Sequence, residues 1–160
     1  MGIDQNLAEQ GHMNICTFWL AERLFGVNIL DVKEVGSDIK LTPIFHANEK
    51  VSGYVNIRGN INLIIDLRKV MNCEAREINS SSRIILFKEK IGESFGVLVD
   101  KIGDVVNIDS SKIEYRKKGD GLVEGSDKKS DFELGLGVYK LEKGLIFLLN
   151  SKSFLSAIRE

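Results

Sequence analysis

Short apolar runs separated by turn residues occupy almost the whole chain. The runs "NICTFWL", "LFGVNI", "YVNI", "NLIID", "RIILFK", "FGVLVD", "VVNI", "LGVYKL" and "LIFLL" are dominated by β-branched and aromatic residues, the side chains that suit a pleated, half-buried surface. Turn signals return about every eight to twelve residues, the rhythm of an all-β sandwich or barrel. Helical spacing appears in two short places. Leu67, Val70 and Met71 follow Asp66, and Phe154, Leu155 and Ile158 follow Asn150; Asp and Asn are both favoured helix N-caps. The single proline, Pro43, opens a loop, and the segment "HANEKVSG" behind it is expected to form a helical turn.

The pattern also repeats itself, the signature of an internally duplicated architecture. "FGVNILDVKEV" (Phe25 to Val35) returns as "FGVLVDKIGDV" (Phe95 to Val105) at an offset of 70 positions. "GYVNIRGNINLIIDLRKVM" (Gly53 to Met71) lies over "GVYKLEKGLIFLLNSKSFL" (Gly137 to Leu155) at an offset of 84. Both members of the second pair run from Gly through a charged turn and a strongly apolar stretch to an Asx residue. The offsets differ by 14, and the excess falls in "RKKGDGLVEGSDKKSD" (Arg116 to Asp131). That stretch has a loop composition and is expected to be mobile and dispensable for folding. The chain therefore reads as a flexible polar tail over 1–13 and one domain over 14–158, made of two similar subdomains near 14–74 and 82–157. The joint is "CEAREINSSS". A copy of about 60 residues is marginal as an independent fold, so two β-barrels packed together answer a stability problem and leave a groove between them.

Composition narrows the function. With a net charge of −1, no global field recruits nucleic acid or anionic membrane. The longest uninterrupted apolar run, "LIFLL", is far too short to span a bilayer, and the N-terminus lacks the basic and apolar regions of a secretion signal. Cys16 and Cys73 form no metal-ligand or redox motif, which fits a reducing cytoplasm. His12 and His46 have no Cys, Asp or Glu at metal spacing, no nucleophile-elbow, metalloprotease or phosphate-loop motif is present, and the carboxylates near Gly119 lack the calcium-loop spacing. Neither a metal nor a cofactor is expected. The polar residues set inside apolar segments are Glu34, Arg58, Asp66, Asp100 and Asp104. Asp66 reads as a helix cap and Asp100 as a strand end. Arg58 breaks the repeat, because its counterpart is Glu142, whereas Glu34 keeps an acidic counterpart in Asp104. A scaffold residue should survive in both copies; a residue serving one surface need not.

The segments "FGVNILDVKEV", "VSGYVNIRGNINLIIDLRKVM", "FGVLVDKIGDVVNI" and "GLGVYKLEKGLIFLLN" resemble the CheW family of bacterial chemotaxis coupling proteins, in family order and over roughly Ile15 to Ile158. The most specific is "GYVNIRG…IIDLR", similar to the family's Gly-x-x-Asn-Leu-Arg-Gly hairpin with its following Asp-Leu. Leu63 departs from the family's usual proline and Asn150 from its common Asp. The resemblance implies an all-β fold of two SH3-like small β-barrel subdomains with a few short helices. It implies a non-catalytic, cytoplasmic adaptor, monomeric when isolated, that neither binds nucleic acid nor inserts into a membrane. Such an adaptor bridges the regulatory domain of the histidine kinase CheA and the cytoplasmic tips of chemoreceptors, and is recruited to receptor arrays. By motif position, Glu34 and Arg58 match residues implicated in receptor coupling, and Val32 and Val35 match the apolar segment around them; Val105, the second-copy counterpart of Val35, joins this set. A CheW-like adaptor of another pathway such as pilus motility, a β-barrel module for nucleic acid or a small ligand, and an enzyme with an unrecognised site remain as other readings.

Overall fold

A computed structural model describes residues 11–74, 77–91, 93–115 and 134–158. Its strands are β1 (His12–Leu20), β2 (Arg23–Asn28), β3 (Val32–Gly36), β4 (Val51–Ile57), β5 (Asn60–Asp66), β6 (Arg83–Phe87), β7 (Phe95–Val99), β8 (Lys101–Asp109), β9 (Glu114–Tyr115), β10 (Gly135–Leu141) and β11 (Gly144–Leu149). Among the described residues the helices are the single turns α1 (Leu67–Val70) and α2 (Phe154–Ala157), with three short 3₁₀ turns beside them. Asp66 caps α1 by accepting the N–H of Arg68, and Asn150 caps the 3₁₀ turn before α2 by accepting the N–H of Lys152. Both Asx residues thus satisfy donors that a helix start leaves orphaned. β1 begins at His12, inside the stretch expected to be tail. The "HANEKVSG" segment forms turns rather than a helix, with His46 in the left-handed region at φ 63°. The stretch 116–131 lies outside the described residues.

The strands form two sheets, ordered β8-β1-β2-β11-β10-β9 and β3-β6-β7-β5-β4, each curled into a small SH3-like barrel. Sheet membership does not follow the two halves of the sequence. The five-stranded sheet takes an unbroken stretch from β3 to β7. The other takes β1 and β2 from the first half and β8 to β11 from the second. The two leading hairpins have changed places, so each barrel contains strands of both repeats. The reason is burial: a repeat that cannot enclose its own apolar faces hides them by lending its first hairpin to its neighbour.

The repeat survives this exchange in detail. β2 runs parallel to β11 with Phe25 opposite Phe147 and Gly26 opposite Leu148; β7 runs parallel to β5 with Phe95 opposite Leu63 and Gly96 opposite Ile64. These are equivalent contacts at the offsets of 70 and 84. A register shift between Gly135 and Gly137 in β10 is matched by one between Val51 and Gly53 in β4. Phe18 stacks on Phe25 and Phe87 on Phe95, each pair with rings inclined by 18°. Gly26 and Gly96 are needed for close packing. A Cβ on Gly26 would run into Ile15 and one on Gly96 would stand 2.7 Å from the Ile85 carbonyl oxygen.

Among the described residues, three apolar clusters hold the fold together. Ile15, Ile108, Ile146 and Leu148 fill one barrel, and Val55, Ile64, Ile84, Leu86 and Leu98 fill the other. The largest cluster lies between the sheets and includes Phe18, Phe25, Ile65, Phe87, Phe95 and Phe154. Fully burying each such Phe contributes roughly 1.5–3 kcal/mol, so the inter-barrel seam is the dominant core.

Candidate functional site

β3 is a margin strand whose ladder partner is β6. Its register shifts between Val32 and Glu34, where Val32 faces Phe87 and Glu34 faces Leu86. Such a bulge re-aims side chains at a sheet edge. Val32 packs against the central core, Glu34 is half-buried, and Val35 is 42% exposed. Across the barrel, the β4–β5 hairpin turns in two residues, Arg58 and Gly59, at φ 54° and 84°. Two positive φ values are what a type I′ turn demands. Gly suits its place, whereas Arg58 occupies the left-handed region at a steric cost. The Gly59 N–H is held by Asn56 Oδ1 at 3.0 Å. This turn presents the guanidinium to β3, and Arg58 Nη1 lies 3.3 Å from Glu34 Oε2. With the Arg58 side chain 80% exposed, the ion pair contributes only about 0–1 kcal/mol.

Val105 stands on β8 of the other sheet, opposite Cys16, at the place related to Val35 by the repeat, and is 58% exposed. Ile102, the counterpart of Val32, also packs against the central core. Of the five residues singled out from the sequence, the structure joins Glu34 to Arg58, sets Val32 and Val35 on the same strand as Glu34, and places Val105 on the second barrel. Asp104, the counterpart of Glu34, is exposed, and its carbonyl accepts the Thr17 hydroxyl. Glu142, the counterpart of Arg58, is exposed in the β10–β11 turn.

Sequence reading missed a buried charge network. Arg68 is 4% exposed. Its Nε and Nη2 donate to the two carboxylate oxygens of Asp66 at 3.0 and 3.1 Å, and its Nη1 donates to Asp100 Oδ1 at 3.2 Å. Asp100 Oδ2 accepts the Ala21 N–H at 2.8 Å in the β1–β2 turn. Burial opposes the charge of Arg68, but the bonds and fields of Asp66 and then Asp100 outweigh it and raise the guanidinium pKa. The triad therefore fastens the exchanged hairpin to α1. The two acids set in apolar runs were the signal; their shared cation was not visible as such. A second link joins the barrels where Ser151 Oγ donates to the buried Asp31 at 2.9 Å. Burial also pushes the Cys16 thiol up.

A groove of about 1100 Å³ runs between the outer side of the first barrel and α2, with Ile61, Leu63, Ile91, Leu155 and Ile158 among its walls. Its described lining includes none of the five sequence-selected residues. Among the described residues, no group of three His, Cys, Asp or Glu is arranged to hold a metal, and no helix is long and apolar enough to cross a membrane.

Comparison with known proteins agrees with the fold. A family model described as a CheW-like domain matches residues 14–159. The chain is 29% identical to the chemotaxis protein CheW of Rhizobium meliloti over 153 residues, covering 94% of this chain and 92% of that protein. It is 27% identical to CheW of Bacillus subtilis over 138 residues, covering 86% and 83%. The crystal structure of the scaffolding protein TtCheW from Thermoanaerobacter tengcongensis superposes with a TM-score of 0.74 at 32% identity, covering 86% of this chain and 88% of that one.

Proposed function

This chain belongs to the CheW family of chemotaxis coupling proteins, and from that membership we propose that it is a non-catalytic adaptor linking CheA to chemoreceptors. In this reading it binds the CheA regulatory domain, a related double barrel, through a barrel-to-barrel contact. It binds the helical hairpin at the cytoplasmic tip of a chemoreceptor through the face around Val32, Glu34, Val35, Arg58 and Val105. It works in the cytoplasm, held at receptor arrays by these contacts. The observation that carries the receptor assignment is the Glu34–Arg58 pair beside exposed Val35. In this reading Arg58 occupies a left-handed turn, where Gly or Asn is the comfortable choice, for the sake of its side chain. Apolar contact supplies most of the binding energy in helix-in-groove recognition, and the charges fix register and partner choice.

The test is receptor-stimulated kinase activity beside co-sedimentation with the CheA regulatory domain and a receptor cytoplasmic fragment. Arg58→Glu should change folding stability by no more than the roughly 0.5 kcal/mol of a surface change, while receptor coupling falls sharply and kinase binding persists. Normal stimulation by this variant would remove Arg58 from the site. Failure of the native protein to bind either partner would overturn the adaptor reading. The exchange Glu34→Arg with Arg58→Glu separates two roles: recovered coupling means that the residues orient each other, continued failure that one touches the receptor.

A further inference from the structure

The two hairpins that the repeat makes equivalent close in different ways. Each links its strands through two residues: Arg58 and Gly59 between Ile57 and Asn60, Glu142 and Lys143 between Leu141 and Gly144. In the first, both linking residues are left-handed. In the second neither is, and the positive φ falls on Gly144, at 150°, where a glycine carries no steric cost. Closing a hairpin at this place therefore does not require a left-handed side chain, and the conformation of Arg58 is peculiar to its own copy of the repeat. So is its brace. Asn56 Oδ1 accepts the Gly59 N–H at 3.0 Å. In the second hairpin the place of Asn56 is taken by Lys140, whose ammonium pairs with Glu114 at 3.2 Å. The β1–β2 hairpin shows the same association. Its linking residues, Ala21 and Glu22, are left-handed at φ 49° and 69°, and there Asp100 Oδ2 accepts the Ala21 N–H at 2.8 Å. Both left-handed two-residue links thus have a turn N–H held by a side-chain oxygen.

We infer that Asn56 is a positioning residue of the receptor site: it holds the turn in the form that aims Arg58 at Glu34. The Gly59 N–H and the Arg58 carbonyl belong to one planar peptide, so an acceptor that fixes this N–H also fixes ψ of Arg58. The left-handed region is unfavourable for any residue with a Cβ. Without the Asn56 oxygen, Arg58 relaxes toward right-handed conformations, which match the twist of a two-residue hairpin poorly, and its guanidinium loses the 3.3 Å approach to Glu34. The exposed ion pair is too weak to hold the turn by itself. Asn56 acts on the receptor through Arg58, without touching it. This inference rests on the receptor reading above.

A double-mutant cycle tests it. The full chain, Asn56→Ala, Arg58→Ala and the two substitutions together are each titrated with a soluble receptor cytoplasmic fragment, and the Kd is read. Asn56→Ala should weaken binding by about three- to tenfold, the loss that one hydrogen bond supports. Arg58→Ala should weaken it at least as much. Added to Arg58→Ala, Asn56→Ala should change nothing further, because no guanidinium is left to aim. A residue that merely supported the fold, or that touched the receptor itself, would weaken binding by the same factor in both backgrounds, and that result would overturn the positioning role. So would native affinity in Asn56→Ala. In either case a loss of binding in Arg58→Ala would leave the receptor reading standing. Native affinity in Arg58→Ala would overturn both, as would a native protein that does not bind the fragment.

Discussion

Removing the Arg68 guanidinium while keeping its partners is the severest single test of how the barrels are held together. Arg68→Met retains much of the apolar stem and deletes the charge-assisted hydrogen bonds to Asp66 and Asp100. The Asp66 and Asp100 side chains, 7% and 12% exposed, then face each other's charge without a cation. Hydrogen bonds to charged groups contribute about 1.5–3 kcal/mol each, but bonds sharing one guanidinium do not add. Breaking a buried ion pair by removing one partner costs about 3–5 kcal/mol, and that is the expected loss, read as a shift in the urea unfolding midpoint at neutral pH with unchanged slope. The decisive control is Asp66→Asn, Arg68→Met and Asp100→Asn together. Asn keeps an oxygen to cap α1 and to accept the Ala21 N–H, and no buried charge remains. Replacing all members of a buried ionic group is commonly neutral or stabilising, so the triple variant should recover most of the stability. The reasoning fails if Arg68→Met costs less than about 1 kcal/mol, or if the triple variant is as unstable as the single one, because the loss would then be packing and not uncompensated charge.

Arg58→Gly should leave stability unchanged or raise it by up to about 1 kcal/mol, since Gly relieves the left-handed turn, whereas Arg58→Val should lower it; thermal melts of the pair decide. Gly96→Ala should destabilise by about 1–3 kcal/mol through overpacking and more than Gly26→Ala, because the first meets the Ile85 backbone and the second meets side chains that can shift. Ser151→Ala should cost about 1–3 kcal/mol by leaving the buried Asp31 without its hydroxyl donor, as measured by chemical unfolding. In the native state a thiol reagent should modify Cys73 and spare Cys16, whose burial disfavours the reactive thiolate; equal rates by absorbance would contradict its placement.

The strands and the repeat were legible because both are local signals. Alternation and β-branched content mark where a strand runs, and the offset of 70 that made Phe25 and Phe95 equivalent is met by their equivalent parallel neighbours, Phe147 and Leu63. The partner of each strand was not legible. β1 and β2 show the same pattern whether they lie on β3 to β5 or on β8 to β11, since the side chains face inward either way; the choice is made by burial across the whole chain. The candidate site divides in the same manner. Arg58 stood out because the repeat changes sign there, and Glu34 because an acid interrupts an apolar run. Their approach to 3.3 Å depends on a positive φ at Arg58 and a bulge in β3, neither of which has an unmistakable sequence mark. Arg68 escaped notice because a cation beside a short helix usually reads as solvated, and only the fold brings Asp100 to it.

The exchange of hairpins also imposes an order on biosynthesis. The barrel built from β3 to β7 is one continuous piece of chain and can close once Val99 has left the ribosome. The other barrel cannot. Its β1 and β2 precede β3, yet β8 pairs only after β3 to β7 have passed, and β11, the parallel neighbour of β2, follows later still. For much of translation the hairpin carrying Phe18 and Phe25 is an unpaired edge with apolar side chains, the kind of transient surface that invites aggregation. Contacts between such distant parts of a chain form slowly. The β1–β2 hairpin therefore waits longer for its partners than the strands of the continuous barrel do, and it is where a nascent-chain chaperone would be expected to hold on.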